Sequence, residues 1–372
     1  MTGVLILGAS ARAAVHSARR AGLTPHAADL FADRDATAYA TVRKCELADY
    51  PDGLERLADT FPPMPWLYTG GLENYPDLVG RIAAKRPLWG NAGDVLRKVR
   101  GRAALEEMLD RITGVPRVVL DGVADPNVTW LRKSYGSSGG IGVSWATDLT
   151  PQVGTYLQEY VSGKCYSVAF FGRADVRTYE GVTEQLVGTD WLHARGFQYA
   201  GSIGPQRTDE NFDWEIQEKC ARTDSWRELE SPWGIDLVDV DGNGFLHLVD
   251  VNPRYTASME VIEHATGRSA LTGVQRAGHV PGVVGKAVYY APHALRFPEV
   301  AAIERAIEVA ADPWALPEYA DIPAVGSVID AGQPVLSFFE RAADAEACRT
   351  ALQRRAAELD TLFARHRVEV SP

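Results

Sequence analysis

The sequence predicts a parallel α/β domain at its N-terminal end, followed by strand-rich segments joined without long linkers. Three observations carry this. A short apolar run, Val4 to Leu7, enters the small-residue turn Gly8-Ala-Ser10, as a strand buried on both faces does. Strand-like and helix-like segments then alternate through about residue 92. Further on, apolar strands flank glycine-rich turns at 134–142 and 241–244, with no repeat or low-complexity stretch between them.

Residues 11–20 place Ala14, Val15 and Ala18 at helical spacing, and Gly22 supplies a stop. A second strand is predicted over 24–29, ending in Asp29. A third, Trp66 to Tyr68, enters Thr69-Gly-Gly71. These complete the α/β domain at 1–92. One helix is predicted from Ala92 to about Arg111, stopped near Gly114-Val-Pro116. Val128 to Lys133 reads as a strand entering the loop Ser134–Gly142, and 158–161 and 167–171 read as the next strands. Residues 176–205, rich in Gly, Thr and aromatics, suggest irregular strands and a long loop, and 211–228 is helical in pattern. Ile235–Val240 and Phe245–Val251 flank Asp241-Gly-Asn-Gly244, a strong hairpin signal. Val325–Ile329 and Val335–Phe339 bracket the turn at 330–334, and a charged helix over 343–366 closes the chain.

Composition narrows the class. Hydrophobic residues make up 46% of 372 and charged residues 23%, which excludes a disordered chain, a collagen-like repeat and a small disulfide scaffold. The formal net charge of −11 argues against nucleic acid or an anionic membrane as a partner, yet leaves room for one small anion in a local basic pocket. Cys45, Cys165, Cys220 and Cys348 form no C-x-x-C pair, so reduced thiols are expected rather than a zinc or redox site. The start of the chain lacks the pattern of a signal peptide, and no apolar run approaches the ~20 residues that span a bilayer. A cytoplasmic protein is expected, with a homodimer as the base-rate assembly.

Three segments carry chemistry. The first glycine turn, Gly8-x-Ser10-x-x-Ala13, is a degraded G-x-G-x-x-G with Asp29 about 20 residues downstream; it reads as a dinucleotide site or as a structural turn. The second, Arg132-Lys-Ser-Tyr-Gly-Ser-Ser-Gly-Gly-Ile-Gly142, puts Lys133 just before a run of Gly and Ser whose amides and hydroxyls could surround phosphate oxygens. It lacks the G-K-[ST] of a Walker A loop, and a surface hairpin is the plain alternative. In the third, Asp236 and Asp250 lie on the two strands of the predicted hairpin. Asn252, two beyond Asp250, shares its face. Two carboxylates and an amide oxygen suit Mg2+. Arg254 follows closely enough to reach a phosphoryl group, and solvated acids at a sheet edge are the alternative.

In this order, Lys133 with its glycine loop, Gln158-Glu-Tyr-Val-Ser-Gly163, and Asp236 with Asp250-Val-Asn-Pro-Arg254 resemble the ATP-grasp superfamily. The likeness covers roughly residues 1–340 and implies an ATP-grasp fold of α+β lobes behind a Rossmann-like N-terminal α/β domain. It implies boundaries at 1–92, 93–161 (central lobe), 162–275 (C-terminal lobe) and 276–372 (small closing lobe and helix). Val325 to Leu336 resembles the closing lobe of biotin-carboxylase-like and purine-pathway members. By resemblance, ATP is held by Lys133, by Arg102 as a second phosphate contact, by Ser137, Ser138, Gly139 and Gly140 of the lid, and by Gln158, Glu159 and Val161 at the adenine hinge. Asp236, Asp250 and Asn252 match the ligands of Mg2+ or Mn2+, and Arg254 matches the arginine near the transferring phosphate. Cys165 stands where members often carry a ribose-binding glutamate. Asp250 replaces the commoner Glu. Gly234 replaces the arginine of D-alanine ligases and argues against that activity.

The resemblance implies an ATP-dependent carboxylate–amine ligase that forms an amide through an acylphosphate. Ile6 to Arg12, Ala28 to Arg34 and Tyr68 to Asn74 resemble the ATP-grasp proteins of methanofuran- and tetrahydromethanopterin-type one-carbon cofactor biosynthesis, tyramine–glutamate ligases among them. That likeness implies glutamate or a related amino acid as donor and a small amine as acceptor. A carboxylase phosphorylating bicarbonate, an NAD(P)-dependent oxidoreductase using the first glycine turn, and a nucleotide-binding protein without turnover are the alternatives. Trp191 to Gly204 is expected to cover a substrate, and Tyr179, Glu180 and Glu184 to line the acceptor site. His16 and His26 are expected at the surface.

Overall fold

The structure is a computed structural model and describes residues 2–171, 179–230, 232–240, 242 and 245–368. In the N-terminal domain β1 (Gly3–Leu7), α1 (Arg12–Arg20), β2 (Thr24–Asp29), α2 (Arg34–Thr37), β3 (Thr41–Lys44), α3 (Asp52–Ala58), β4 (Trp66–Tyr68) and α4 (Pro76–Ala83) follow in turn. Their strands pair in parallel in the order β3-β2-β1-β4. The unbroken apolar run of β1 has a direct cause. Val4 and Ile6 pack with Ala14, Val15 and Ala18 of α1, while Leu5 and Leu7 pack with Leu54, Trp66 and Leu78 on the opposite face.

The helix predicted as one piece over 92–111 is two, α5 (Gly93–Val99) and α6 (Arg102–Arg111). Between them Arg100 is extended and Gly101 has φ +98°, a backbone state that favours glycine. The break turns Arg100 out of the helical path.

The central lobe is an antiparallel sheet, ordered β5-β8-β6-β7, of β5 (Val118–Val119), β6 (Trp130–Ser138), β7 (Ile141–Trp145) and β8 (Thr155–Glu159). The segment expected as a loop at 134–142 is mostly strand. Strand β6 runs on to Ser138, and only Gly139 (φ +62°) and Gly140 (φ +82°) form the tip, with the positive φ at both positions that a type I′ turn needs.

The rest of the chain builds one eight-stranded antiparallel sheet. This part of the chain runs through β9 (Lys164–Phe170), β10 (Gly181–Val187), β11 (Tyr199–Gly204), α7 (Glu210–Arg222), β12 (Trp233–Asp239), β13 (Leu246–Asn252), α8 (Ala257–Thr266), β14 (Val283–Tyr290), β15 (Leu295–Arg296), α9 (Ala301–Val309), β16 (Tyr319–Ala320), β17 (Val328–Ile329), β18 (Pro334–Ala342) and α10 (Ala345–Phe363). The order is β13-β12-β9-β10-β11-β14-β18-β16, with β15 and β17 as a separate pair. The predicted hairpin of β12 and β13 forms; Asp241, Asn243 and Gly244 of its turn lie outside the described residues. Helix α7 ends at Arg222, before a 3-10 turn at 224–228. As expected, the strands there are irregular and joined by a long connection: β10 and β11 pair antiparallel with a register shift between Leu186 and Val187; residues 176–178 of that span lie outside the described residues. Strands β17 and β18 bracket 330–334 without pairing, because β18 is held by β14 and β16.

One apolar core lies between this sheet and α9 and α10; a second lies beneath α6 and α7. A third is shared by α1 and α8, where Ala14 and Val15 meet Met259 and Ile262, so the N-terminal domain is seated on the large sheet. His16 is a correction: it is buried in this seat at 6% exposure, with Nε2 3.0 Å from the Asp35 carbonyl. Burial, then Arg12 and Arg20, lower its pKa to about 3, so it is neutral. His26 is half-buried. Among the described residues no helix is long and apolar enough to cross a membrane.

Candidate active site

A cavity of about 1480 Å3 opens between the N-terminal domain, the central sheet and the large sheet. On its floor Asp236 of β12 sits directly across from Asp250 of β13, and a bulge follows Asp236. The Asp236 carboxylate accepts from Gln185 Nε2 and from Asn252 Nδ2, each at 2.9 Å. Burial, then the Asp250 charge, push it up to about 6. Arg100, 3.8 Å from Asp250, and the charge of Arg254 offset part of the negative charge of these two facing carboxylates, yet Asp236 is still pushed up, and a divalent cation would supply what is missing.

Asp236 and Asp250 therefore fit a metal. Asn252 fits less freely, because its Oδ1 already accepts from Arg254 at 3.1 Å. Among the described residues no group of three or more His, Cys, Asp or Glu is placed to hold an ion, so the candidate set is two acids and this amide.

Arg254 spans the cavity wall. Its Nε donates to Glu73 at 2.7 Å, and its Nη2 donates to Ser138 Oγ at 3.0 Å and to Asn252. Glu73 has no exposed side-chain surface; burial would raise its pKa, but Arg254 and Arg100 more than offset that and hold it below the usual value. Lys133 projects from β6 beneath the glycine hairpin. Its Nζ donates to Gln158 Oε1 at 3.1 Å and to the Val249 carbonyl at 2.9 Å, which places it between the central sheet and β13.

The hairpin tip is docked rather than free. Tyr199 N donates to the Gly139 carbonyl at 3.1 Å, and a Cβ on Gly140 would stand 1.8 Å from the Phe197 carbonyl. Phe197, from the segment 191–204, also packs edge-on against Trp145 of β7 at 5.2 Å, and Trp145 meets Tyr160 at 4.8 Å.

Of the residues singled out in sequence, Lys133, Ser137, Ser138, Gly139, Gly140, Gln158, Glu159, Val161, Cys165, Asp236, Asp250, Asn252 and Arg254 all line this one cavity. The Glu159 carboxylate turns to Arg117 at 2.9 Å and its backbone N–H donates to the Arg117 carbonyl at 2.8 Å, so neither is free for a hinge contact. Burial, then Asp236, raise the Cys165 thiol to about 11, so it is an inert wall.

Arg102 is not brought in. Its guanidinium is exposed and pairs with Glu106 at 2.8 Å and with Asp121. Arg100, released by the helix break, braces the wall instead: it donates to the carbonyls of Val251 and Ser137, each at 2.8 Å, and lies 3.8 Å from Asp250. Tyr179, Glu180 and Glu184 are turned to Asp213, Arg268 and Arg349, away from the cavity. Asp29 accepts from the amides of Ala11 (2.8 Å), Phe31 (3.1 Å) and Ala32 (2.7 Å), so it shapes the first glycine turn. Sequence reasoning missed Arg100 and Glu73, and also the acids and lysine at the far end of the cavity: Asp33, Asp321 and Lys286. For Arg100 a signal existed in the glycine that follows it.

Comparison with known structures decides the architecture. N5-carboxyaminoimidazole ribonucleotide synthetase from Thermotoga maritima superposes with a TM-score of 0.65 at 14% identity, covering 96% of this chain and 98% of that one. The fold is the ATP-grasp fold. Residues 102–258 match the ATP-grasp domain family directly. L-amino acid ligase from Bacillus licheniformis shares this fold (TM-score 0.66, 12% identity, 96% and 97% covered). So does biotin carboxylase from Campylobacter jejuni in its β-γ-ATP complex (TM-score 0.61, 14% identity, 94% and 89% covered). No curated protein matches the chain by sequence. The matched stretch of the ATP-grasp fold contains Lys133, the glycine hairpin, Asp236, Asp250 and Arg254.

Proposed function

We propose that this chain is an ATP-dependent carboxylate–amine ligase. The observation that supports it best is the meeting, in one cavity of an ATP-grasp fold, of Lys133 and Arg254 with the facing acids Asp236 and Asp250. In this reading Asp236 and Asp250, with Asn252, hold Mg2+ or Mn2+, which when bound screens the charge of the ATP phosphates. Lys133, Arg254 and the amides of the glycine hairpin hold the transferring phosphoryl group. The substrate carboxylate oxygen attacks the γ-phosphorus, ADP leaves, and the amine nitrogen then displaces phosphate from the acyl carbon and loses a proton. The docked hairpin and the Trp145–Phe197 contact exclude water from the acylphosphate.

Glutamate or a related amino acid, used in one-carbon cofactor biosynthesis, is the donor we favour. Its support is that Ala9, Ser10, Phe31–Asp33 and Thr69–Gly71, within the three phrases that resemble that group, line the cavity at the N-terminal domain.

The test is an ADP-release screen over carboxylate and amine pairs with mass spectrometry of products, run beside Lys133→Ala and Asp250→Ala. Both variants should fall to background while remaining folded. Undiminished ADP release in both would refute the reading, and bicarbonate-dependent release without an amine would move it to a carboxylase.

A further inference from the structure

At the end of the cavity away from Asp236, the N-terminal domain and the closing strands bring a second set of charges together. Arg12 of α1 is 1% exposed and donates to both oxygens of Asp321 (2.8 and 2.9 Å) and to both of Glu260 on α8. Lys286 of β14 lies 2.9 Å from Glu260 and 3.5 Å from Asp321. Asp35 accepts from the amides of Asp321 and Ile322 (3.1 and 3.0 Å) and lies 3.5 Å from Arg12. His16 is neutral, and Arg34 is turned away to Glu304 at 2.6 Å. Each of these groups has a partner.

Asp33 does not. It lines the cavity at 6% exposure and occupies the position before α2, yet its side chain caps no amide of that helix. Among the described residues no hydrogen bond or ion pair reaches its carboxylate. The backbone is arranged to present it: Asp29 pins the turn through Phe31 and Ala32, and Ala32 holds φ +50°. Opposite, Asp321 holds φ +54°. Two non-glycine residues in the left-handed region on facing walls of one pocket mark a place where structure is spent on positioning. Counted together, Asp29, Asp33, Asp35, Asp321, Glu260 and Glu263 confront Arg12, Lys286 and Arg20, so the corner is short of cations. Burial, then the charges of Asp321, Asp35 and Asp29, push the Asp33 carboxyl well above its usual value, and a ligand cation relieves the cost of ionising it.

We infer that Asp33 is the anionic contact for the protonated nitrogen of an ammonium-bearing substrate, and that this corner selects amines over neutral molecules of the same shape. The inference rests on the ligase reading in one respect, that the occupant is a substrate.

Binding is tested on the full chain by ligand-detected NMR titration with n-butylamine and 1,4-diaminobutane, against 1-butanol as the neutral counterpart. Both amines should bind the parent protein, and 1-butanol at least ~10-fold more weakly. Asp33→Asn should weaken the amines at least ~10-fold and leave 1-butanol unchanged. Asp33→Ser, which like Asn suits the position before a helix, serves as a second variant, with circular dichroism confirming that both are folded. Equal amine binding by parent and both variants, or 1-butanol binding as well as n-butylamine, overturns the inference. ADP release measured on the same preparations separates the two claims. Turnover with amine binding indifferent to Asp33 removes the pocket alone. Amine binding lost in the variants, in a protein that never releases ADP, removes the ligase reading and leaves an ammonium site.

Discussion

Replacing Arg12 by Met tests how the N-terminal domain is held on the large sheet. Met keeps most of the apolar stem, so the change isolates the guanidinium. In the parent protein that group serves Glu260, Asp321 and Asp35 at once from a position that is 1% exposed. Without it, Glu260 and Asp321 share Lys286 alone. Removing one partner of a buried ion pair costs about 3–5 kcal/mol, against about 0–1 for an exposed pair. Urea unfolding followed by tryptophan fluorescence should show the larger figure at pH 7.

The pH dependence has a definite sign. Burial would raise the pKa of Glu260 and Asp321, but Arg12 and Lys286 more than offset it and hold both below the usual carboxylate range. Their stabilising contribution is therefore present above about pH 4 and lost as pH falls through the lower folded values. The variant loses that depression, so its deficit is full at pH 7 and shrinks toward about pH 4 as the carboxyls take up protons. A deficit under about 1 kcal/mol at pH 7, or one that widens on acidification, would refute this account. Adding Glu260→Gln to Arg12→Met should recover part of the loss, because the two sites couple directly.

Other perturbations probe the cavity itself. Asp236→Asn should stabilise the metal-free protein by about 1–2 kcal/mol at pH 8, since a carboxyl raised to about 6 in the folded state is penalised as pH climbs through that value. The difference should vanish below about pH 4, and Mg2+ or Mn2+ alone should raise the melting temperature of the parent more than that of the variant. Gly140→Ala forces a side chain onto the Phe197 carbonyl at a φ of +82°. It should cost about 1–2 kcal/mol in backbone strain, loosen the hairpin tip to limited proteolysis and raise the KM for ATP; an unchanged cleavage pattern would contradict the docking described above. Trp145→Ala removes two ring contacts, each worth about 0.5–1.5 kcal/mol, and should speed hydrogen exchange across 136–145 while leaving the amides of β1 protected.

Much of the architecture was legible because it is local. The run Val4–Leu7 is apolar at every position because it is covered on both faces, and Asp236 and Asp250 were placed together by a hairpin whose turn residues are strong. What was hidden depends on single backbone angles or on contacts distant in sequence. Periodicity over 92–111 reads as one helix, and only the φ of Gly101 reveals that Arg100 rather than Arg102 reaches the glycine hairpin and Asp250. The glycines at 139 and 140 suggested freedom for phosphate contacts; the turn and the nearness of Phe197 also require them. His16 looked like a helix-surface residue because nothing nearby in sequence announces α8, which covers that face. Asp33 lay within a phrase singled out for its resemblance, but its lack of a partner shows only in three dimensions.

The eight-stranded sheet carries one more consequence, for anyone seeking a minimal fragment. Strand β14 is bonded to β11 on one side and β18 on the other, so the last hundred or so residues are not an appendage that can be trimmed. Ending the chain near residue 275 would strip β11 of its neighbour and leave the amides and carbonyls of Gly201–Gly204 as a raw edge beside Ala200 and Ile203, which the tail now covers. Such an edge recruits other chains by strand addition. Inactivity of that fragment would mix insolubility with the loss of Lys286 and Asp321 from the cavity, and could not say where catalysis resides.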